Sequence, residues 1–389
     1  MGRPRIMIVA VEPSADAIGA ALLGELRELA PQARVLGCGG PRMAANGFQS
    51  LFPIDRLSVM GLIDALRALP EAQKRARDLS DLAVRERIDA AVFIDAWGFS
   101  RLCAGMLRKR TPSAKLFKLG APQVWASRPR RVNAVRALFD GVLCLLPFEP
   151  AVFEKAGVRA EFMGNPNYQT AWRYRGDGDK FRELHELGPA PLLVVLPGSR
   201  KTEARRLLFP FAGAVRLLAE RLPGLRVVAV LAPQVEAIAR PLIATWPGAP
   251  IFAGDDEKYD AFAAADAALA KSGTVTTELA INRTPMAVAY RFDPVTAIWI
   301  RRIATTRFAS ILNIAAERAV IPEFLQENCR PDYLAAALEK LMTDRETRLE
   351  QLEAFPPLLA YLGVDGPPAA RRAAETILDW MKSPAPRRA

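Results

Sequence analysis

Short, nearly unbroken apolar runs recur along the chain and are separated by longer stretches with helical spacing. The first series falls at residues 6–11, 33–37, 89–99, 114–119, 141–145 and 160–163. A second series falls at 191–196, 225–231, 250–252, 267–269 and 285–290. Runs that are apolar at successive positions, instead of every second one, suit strands covered on both faces. Strands alternating with helices predict βαβ units and parallel sheets, so the fold class is α/β. The same rhythm occurs twice with no short internal repeat, which predicts two Rossmann-like, doubly wound domains facing across a cleft.

The expected boundaries follow from this rhythm. Residues 1–167 form the N-terminal domain and 189–364 the C-terminal one. The stretch 168–188, rich in charge, Tyr and Gly, is the crossing between them. Residues 365–389 carry a last helix at 369–381, which a two-domain plan of this kind often returns to the first domain, and a disordered tail.

A length of 389 residues supports two domains, and a hydrophobic fraction of 51% supports folded ones. Cys38, Cys103, Cys144 and Cys329 form no CxxC pair, so they read as small core residues and not as a disulfide or zinc framework. His185 is the only histidine and lies in a charged run. A Ser-His-Asp triad and a His-rich metal site are therefore excluded, and a general base must be a carboxylate or a lysine. Lys plus Arg at 53 against Asp plus Glu at 42 gives a net charge of +11, which favours acidic partners: nucleic acid, an anionic lipid surface or phosphorylated small molecules. The apolar run after the basic start is too short for a signal peptide, and no run reaches the roughly 18 residues of a membrane span. A cytoplasmic protein with peripheral membrane contact is expected.

Candidate chemistry gathers where strands end. The run 267–269 leads into Ser272-Gly273-Thr274 and a helix bearing Glu278. A strand turning through Gly into a helix aims backbone N–H groups at one point, which suits a phosphate, and Glu278, one turn beyond Thr274, lies on the face beside it, within reach of a sugar hydroxyl. The same turn serves many α/β proteins as a turn only. The run 191–196 leads likewise into Pro197-Gly198-Ser199-Arg200, and the following helix carries Arg205 and Arg206 early, as if an anion were expected.

In the first half, Asp95 stands at the carboxyl end of a strand, where open α/β sheets present functional side chains, although an Asp that caps the next helix would look the same. Glu12 and Asp16 follow another strand and are reserve acids. The apolar stretch 58–66, with Val59, Met60 and Leu62, lies close to a basic run and reads either as a core helix or as an acyl-chain patch. Trp125, Arg128 and Arg131 sit in a Pro-rich basic loop suited to an anion or lipid headgroup. Gly37-Cys38-Gly39-Gly40 lacks the GxGxxG spacing and is followed by Pro41, so a dinucleotide fingerprint is rejected.

In order, these motifs resemble the lipid-A-disaccharide synthase family, glycosyltransferase family 19, over nearly the whole chain. The residues that carry the resemblance are Glu12-Pro13-Ser14-Ala15-Asp16, Gly39-Gly40-Pro41, Leu57 to Leu62, Ile94-Asp95, and Pro122 to Ala126 with Arg128 and Arg131. The second half adds Leu196 to Arg200, Ser272-Gly273-Thr274 with Glu278, Pro285-Met286, Tyr290-Arg291, and Asn313 with Pro322-Glu323. The resemblance implies a GT-B fold and no cofactor or metal. It also implies an inverting transfer from UDP-2,3-diacylglucosamine to 2,3-diacylglucosamine 1-phosphate at the inner face of the cytoplasmic membrane, on anionic lipid, with no nucleic-acid partner. A homodimer is left open. On the same ground residues 1–167 take the acceptor and lipid and 189–364 the UDP-sugar. Asp95 matches the family's proposed general base, and Arg200 and the turn Ser272, Gly273, Thr274 and Glu278 match its UDP site; Gly198, Ser199, Asn313, Glu323 and Gln326 are assigned to the same UDP site. Val59, Met60, Leu62, Trp125, Arg128 and Arg131 are assigned to the lipid and acceptor side. The sequence departs from the usual family pattern at Ala15, Gly98, Asn165 and Ala316-Glu317-Arg318. The rival readings are a UDP-sugar 2-epimerase of the same plan, disfavoured by the lone His185 and the apolar 58–66 patch, and an inactive lipid- or nucleotide-binding module.

Overall fold

The computed structural model describes residues 3–54, 62–127, 129–303 and 305–383. The chain divides into two compact units, Met1–Pro166 with Gly366–Ala389 and Asn167–Asp365. Each unit is built on a six-stranded parallel sheet.

The first sheet holds β1 (Arg5–Ala10), β2 (Arg34–Cys38), β3 (Ala90–Ile94), β4 (Lys115–Leu119), β5 (Gly141–Cys144) and β6 (Ala160–Phe162), in the order β2-β1-β3-β4-β5-β6. The second holds β7 (Leu192–Leu196), β8 (Arg226–Val230), β9 (Ile251–Ala253), β10 (Ala267–Lys271), β11 (Met286–Tyr290) and β12 (Glu323–Leu325), in the order β12-β11-β10-β7-β8-β9. In each sheet the direction of winding reverses once, between β1 and β3 and between β7 and β10. Such a reversal sends the two following connections apart and leaves a crevice beyond the strand ends. Register makes the paired ends finish level: Ala10 lies beside Ile94, and Leu196 beside Ala270.

The first sheet is apolar on both faces because helices cover both. Met7, Val9 and Phe93 point into a core shared with Leu79, Ala83, Cys103 and Leu107, from the helices Leu62–Glu86 and Trp97–Arg110. Ile6, Ile8 and Val92 point the other way, toward Leu22 of the helix Pro13–Leu29 and Ile377 of Ala369–Lys382. The final helix thus completes a layer of the first unit. Its Trp380 lies 5.7 Å from the Phe117 ring. Residue 141 must be glycine for this to happen, since a Cβ there would lie 2.2 Å from the Trp380 ring.

Three local expectations change. The run 89–99 is not one strand: β3 stops at Ile94, and the helix Trp97–Arg110 follows after two residues. The stretch 168–188 folds into the helices Pro166–Arg173 and Gly178–Leu184, which bury Tyr168 and Phe181, so it is more than a bare crossing. The three-residue strand β12 carries too few residues to register as a periodic run. No helix among the described residues is long and apolar enough to cross a membrane.

Candidate active site

At the reversal in the first sheet the chain leaves β3 through Asp95 and Ala96, whose φ angles are +46° and +41°. This left-handed region disfavours residues with a Cβ, and two in succession need external support. Support comes from both sides of the peptide. Asp95 N donates to the Leu119 carbonyl at 3.0 Å, and Ser100 Oγ donates to the Asp95 carbonyl at 2.7 Å. Gly120, itself at φ +76°, leaves space for the carboxylate, since a Cβ there would lie 2.5 Å from Asp95 Oδ1. Lys118, only 1% exposed, donates from Nζ to the carbonyls of Phe93, Asp95 and Leu119 at 3.2, 2.7 and 3.0 Å. Burial pushes its ammonium down to about 8, against the opposing pull of Asp95 and Glu12. Glu12, half-buried, stands at the N-cap of Pro13–Leu29, separated from β1 by Val11.

Asp16 has a different task from the reserve acid expected of it. It is 2% exposed, and its carboxylate accepts from the backbone N–H groups of Gly40, Arg42 and Met43 at 2.8, 2.8 and 3.1 Å. It therefore anchors the five-residue helix Pro41–Ala45, and its oxygens are committed to backbone. Trp125 is anchored too: its Nε1 donates to Glu149 Oε1 at 2.9 Å, and its ring meets Phe148 edge-on at 5.0 Å. Glu149 is 2% exposed and also accepts from Leu145 N and Leu146 N, both at 3.1 Å. Burial pushes its carboxyl up to about 7, with Asp95 adding to the rise and the three donors holding it back. Glu149 is an ionisable residue of this region that the sequence analysis did not single out. Arg131 begins the helix Arg131–Leu138 and Leu62 begins Leu62–Glu86. Val59, Met60 and Arg128 lie outside the described residues.

The reversal in the second sheet gathers the opposite charge. Gly198, at φ +105°, turns the chain out of β7 so that Arg200 stands at the N-cap of Lys201–Arg221. Lys271 closes β10 beside it. Arg200 Nη1 lies 3.1 Å, and Lys271 Nζ 3.5 Å, from Glu203 Oε1, which also accepts from the Tyr290 hydroxyl at 3.1 Å. Glu203 is 4% exposed, and its Oε2 has no hydrogen-bond partner. Burial lowers the Lys271 ammonium, with Arg200 adding to the fall and Glu203 opposing it. Burial, reinforced by Glu203, pushes the Tyr290 hydroxyl up to about 12. Neither Lys271 nor Glu203 was singled out in the sequence; the available signal was a lysine ending an otherwise apolar strand. Arg206 pairs instead with Asp293 at 3.4 Å.

The backbone N–H groups of Gly198, Ser199, Arg200, Gly273 and Thr274 donate to no described residue. That of Ser272 is committed to the Ala289 carbonyl at 3.1 Å, and its Oγ donates to Ala309 O at 2.8 Å. Ser272 is thus a buried brace, and Thr274 makes no side-chain cap to the helix Val275–Ile281. Glu278 is 9% exposed and accepts from Lys258 Nζ at 2.7 Å. Asn313 is fully buried. Its amide donates to Ile321 O and Glu323 Oε1, each at 2.8 Å, and accepts from Val320 N and Ile321 N at 2.8 and 2.9 Å. Four bonds fill an amide's capacity, so Asn313 supports Glu323 and is not itself a free ligand. Glu323 in turn takes the N–H groups of Ala309 and Ser310, both at 2.8 Å. Gln326, at φ +54°, accepts from Arg291 Nε at 3.3 Å through its carbonyl.

Two Rossmann-type units, one with carboxylates at its reversal point and the other with cations and unpaired N–H groups, define the GT-B class of sugar-nucleotide enzymes. A UDP-GlcNAc 2-epimerase from Neisseria meningitidis, solved bound to UDP-GlcNAc, superposes with a TM-score of 0.64 over 96% of this chain and 100% of its own, at 10% identity, which speaks for the fold. Within that class, the family model for lipid-A-disaccharide synthetase matches residues 6–355. The lipid-A-disaccharide synthase of Rhodospirillum centenum is 42% identical over 378 residues, covering 96% of this chain and 94% of its own. That of Paramagnetospirillum magneticum is 41% identical over 386 residues, 97% of each chain. The chain belongs to the lipid-A-disaccharide synthase family of glycosyltransferases, which implies a UDP-sugar donor and a lipid-linked acceptor and sets aside the epimerase reading.

Proposed function

We propose that the protein joins UDP-2,3-diacylglucosamine to 2,3-diacylglucosamine 1-phosphate, giving the disaccharide 1-phosphate and UDP. The observation that carries this reading is the opposite chemistry of the two reversal points, the first offering a base and the second an anion site. The acceptor's primary hydroxyl attacks the anomeric carbon from the face opposite UDP, and its proton passes to the Asp95 carboxylate. The bond from that carbon to the diphosphate breaks, its electron pair leaves with UDP, and the configuration inverts. His185, which packs on Phe181 with ring centroids 4.3 Å apart, is not at either reversal point, so a carboxylate is the base.

The leaving diphosphate gains charge as the bond breaks. Arg200, Lys271 and the unpaired N–H groups of Gly198, Ser199, Gly273 and Thr274 are donors preorganised for it, and removing one such donor costs on the order of 3 kcal/mol, about a hundredfold in rate. Glu278, oriented by Lys258, takes the ribose hydroxyls, and Glu323 and Gln326 hold the segment after β11. Acylated substrates reside in a membrane. The +11 net charge, with Phe209 81% and Ile298 57% exposed, supports peripheral binding to anionic lipid at the inner face of the cytoplasmic membrane.

The test is incubation of the purified protein with the donor, with and without the acceptor. Disaccharide and free UDP in equal amounts, only when both are present, is the expected result. An epimerised donor, or no change, overturns the proposal.

A further inference from the structure

We infer that Lys118 is a positioning residue for the transfer step, holding Asp95 in its left-handed conformation and supplying the buried positive charge that faces Asp95 and Glu12. The inference rests on the reading of Asp95 as the base.

Lys118 occupies a position in β4 that the pattern assigns to the core. Its neighbour two residues back, Leu116, points into the same apolar cluster. A leucine or methionine there would fill the space without the desolvation that an ammonium incurs, so the fold alone gives no reason for the charge. The bonding of Nζ supplies one. Its three acceptors are the carbonyls of Phe93, Asp95 and Leu119, which bracket the point where β3 ends and the left-handed pair begins. The Leu119 carbonyl also receives Asp95 N, so one ammonium ties together both strand ends that fix the Asp95 peptide. A left-handed aspartate persists only where its surroundings overdetermine it, and three ion–dipole bonds do so. The ionisable groups facing Lys118 are Asp95 at the end of β3 and Glu12 after β1, and Asp95 also acts on Glu149 in the helix Glu149–Glu154. Lys118 is the cation that Asp95 and Glu12 both act on.

One consequence follows for pH. In the native protein the ammonium itself is lost as pH rises through about 8, leaving two N–H groups for three carbonyls and no charge. The native profile therefore has an alkaline limb near that pH.

The experiment compares the native enzyme with Lys118→Met and, as a parallel control, Asp95→Asn. Readouts are kcat and donor KM across pH 5 to 10, UDP affinity and thermal stability. Lys118→Met is expected to melt at or above the native temperature, to bind UDP within twofold of native, and to lose at least tenfold in kcat. Its alkaline limb near pH 8 should disappear. A kcat within twofold of native with an unchanged profile overturns the inference. If Lys118→Met does not fold, Lys118→Gln is measured in its place, and a kcat within twofold of native with an unchanged profile again overturns the inference. If Asp95→Asn retains native turnover, the reading of the base fails. If Asp95→Asn is inactive while Lys118→Met is normal, only the role of Lys118 fails.

Discussion

The two reversal points are built as opposites. In the first, carboxylates surround a buried lysine: Asp95 and Glu12 stand at adjacent strand ends, and Lys118 behind them is 1% exposed. In the second, cations surround a buried glutamate: Arg200 and Lys271 flank Glu203, which is 4% exposed. A buried counter-charge makes it affordable to gather like charges at one place, because each member then has an opposite charge within reach. The difference lies in how completely the counter-charge is bonded. Lys118 has three carbonyl acceptors and locks the Asp95 backbone, whereas Glu203 keeps one oxygen, Oε2, buried and unpartnered. The proposed roles account for the contrast: a base is best held in one geometry, whereas cations that are to bind a diphosphate exchange their resting carboxylate for the ligand, which a loosely bonded counter-charge suits.

The largest effect should follow from breaking the cationic side. Arg200→Ala is expected to lower kcat/KM for the donor about a hundredfold, or ~3 kcal/mol, with acceptor KM unchanged. Steady-state kinetics with both substrates varied checks this, and a change below threefold removes Arg200 from the anion site.

Next comes the acidic side's response to pH. Burial raises the Glu149 carboxyl from its ordinary 4.5 to about 7 in the folded protein. The stability tied to this group is fully present below about pH 4.5 and is lost as pH rises through about 7, by up to about 3 kcal/mol. Urea unfolding at pH 5 and pH 8 should show native protein losing more stability over that interval than Glu149→Gln. Equal losses would mean that the site does not strain this carboxylate.

A smaller effect is expected from the packing that confines Asp95. Gly120→Ala places a methyl 2.5 Å from Asp95 Oδ1 and strains a backbone at φ +76°. It should reduce kcat about tenfold while UDP titration calorimetry gives the native affinity.

The alternation of strands and helices was legible because it rests on local periodicity, and the run 6–11 overlaps β1 almost completely. Asp95 was legible as the residue that ends an apolar strand. What sequence could not show is which charged residues turn inward. Asp16 follows a strand as Glu12 does, yet it is committed to three N–H groups around residue 40, a partnership 24 positions away in the chain. Lys118 reads as one more residue of a strand, because its carbonyl partners belong partly to β3. Asn313 stands among the motifs of the family, but its four hydrogen bonds arise from a loop that folds back eight residues later. Charge at a strand end has the same appearance in sequence whether it meets a ligand, a helix N-terminus or a ring of carbonyls.

The central claim is that Asp95 is the base of the transfer and that its loss leaves the nucleotide site of the second unit intact. It is tested most directly by measuring turnover and UDP affinity on the same preparation of Asp95→Asn. The account predicts UDP affinity within twofold of native and turnover lower by at least about a hundredfold. Turnover within tenfold of native, or a loss of UDP binding that matches the loss of rate, would contradict it.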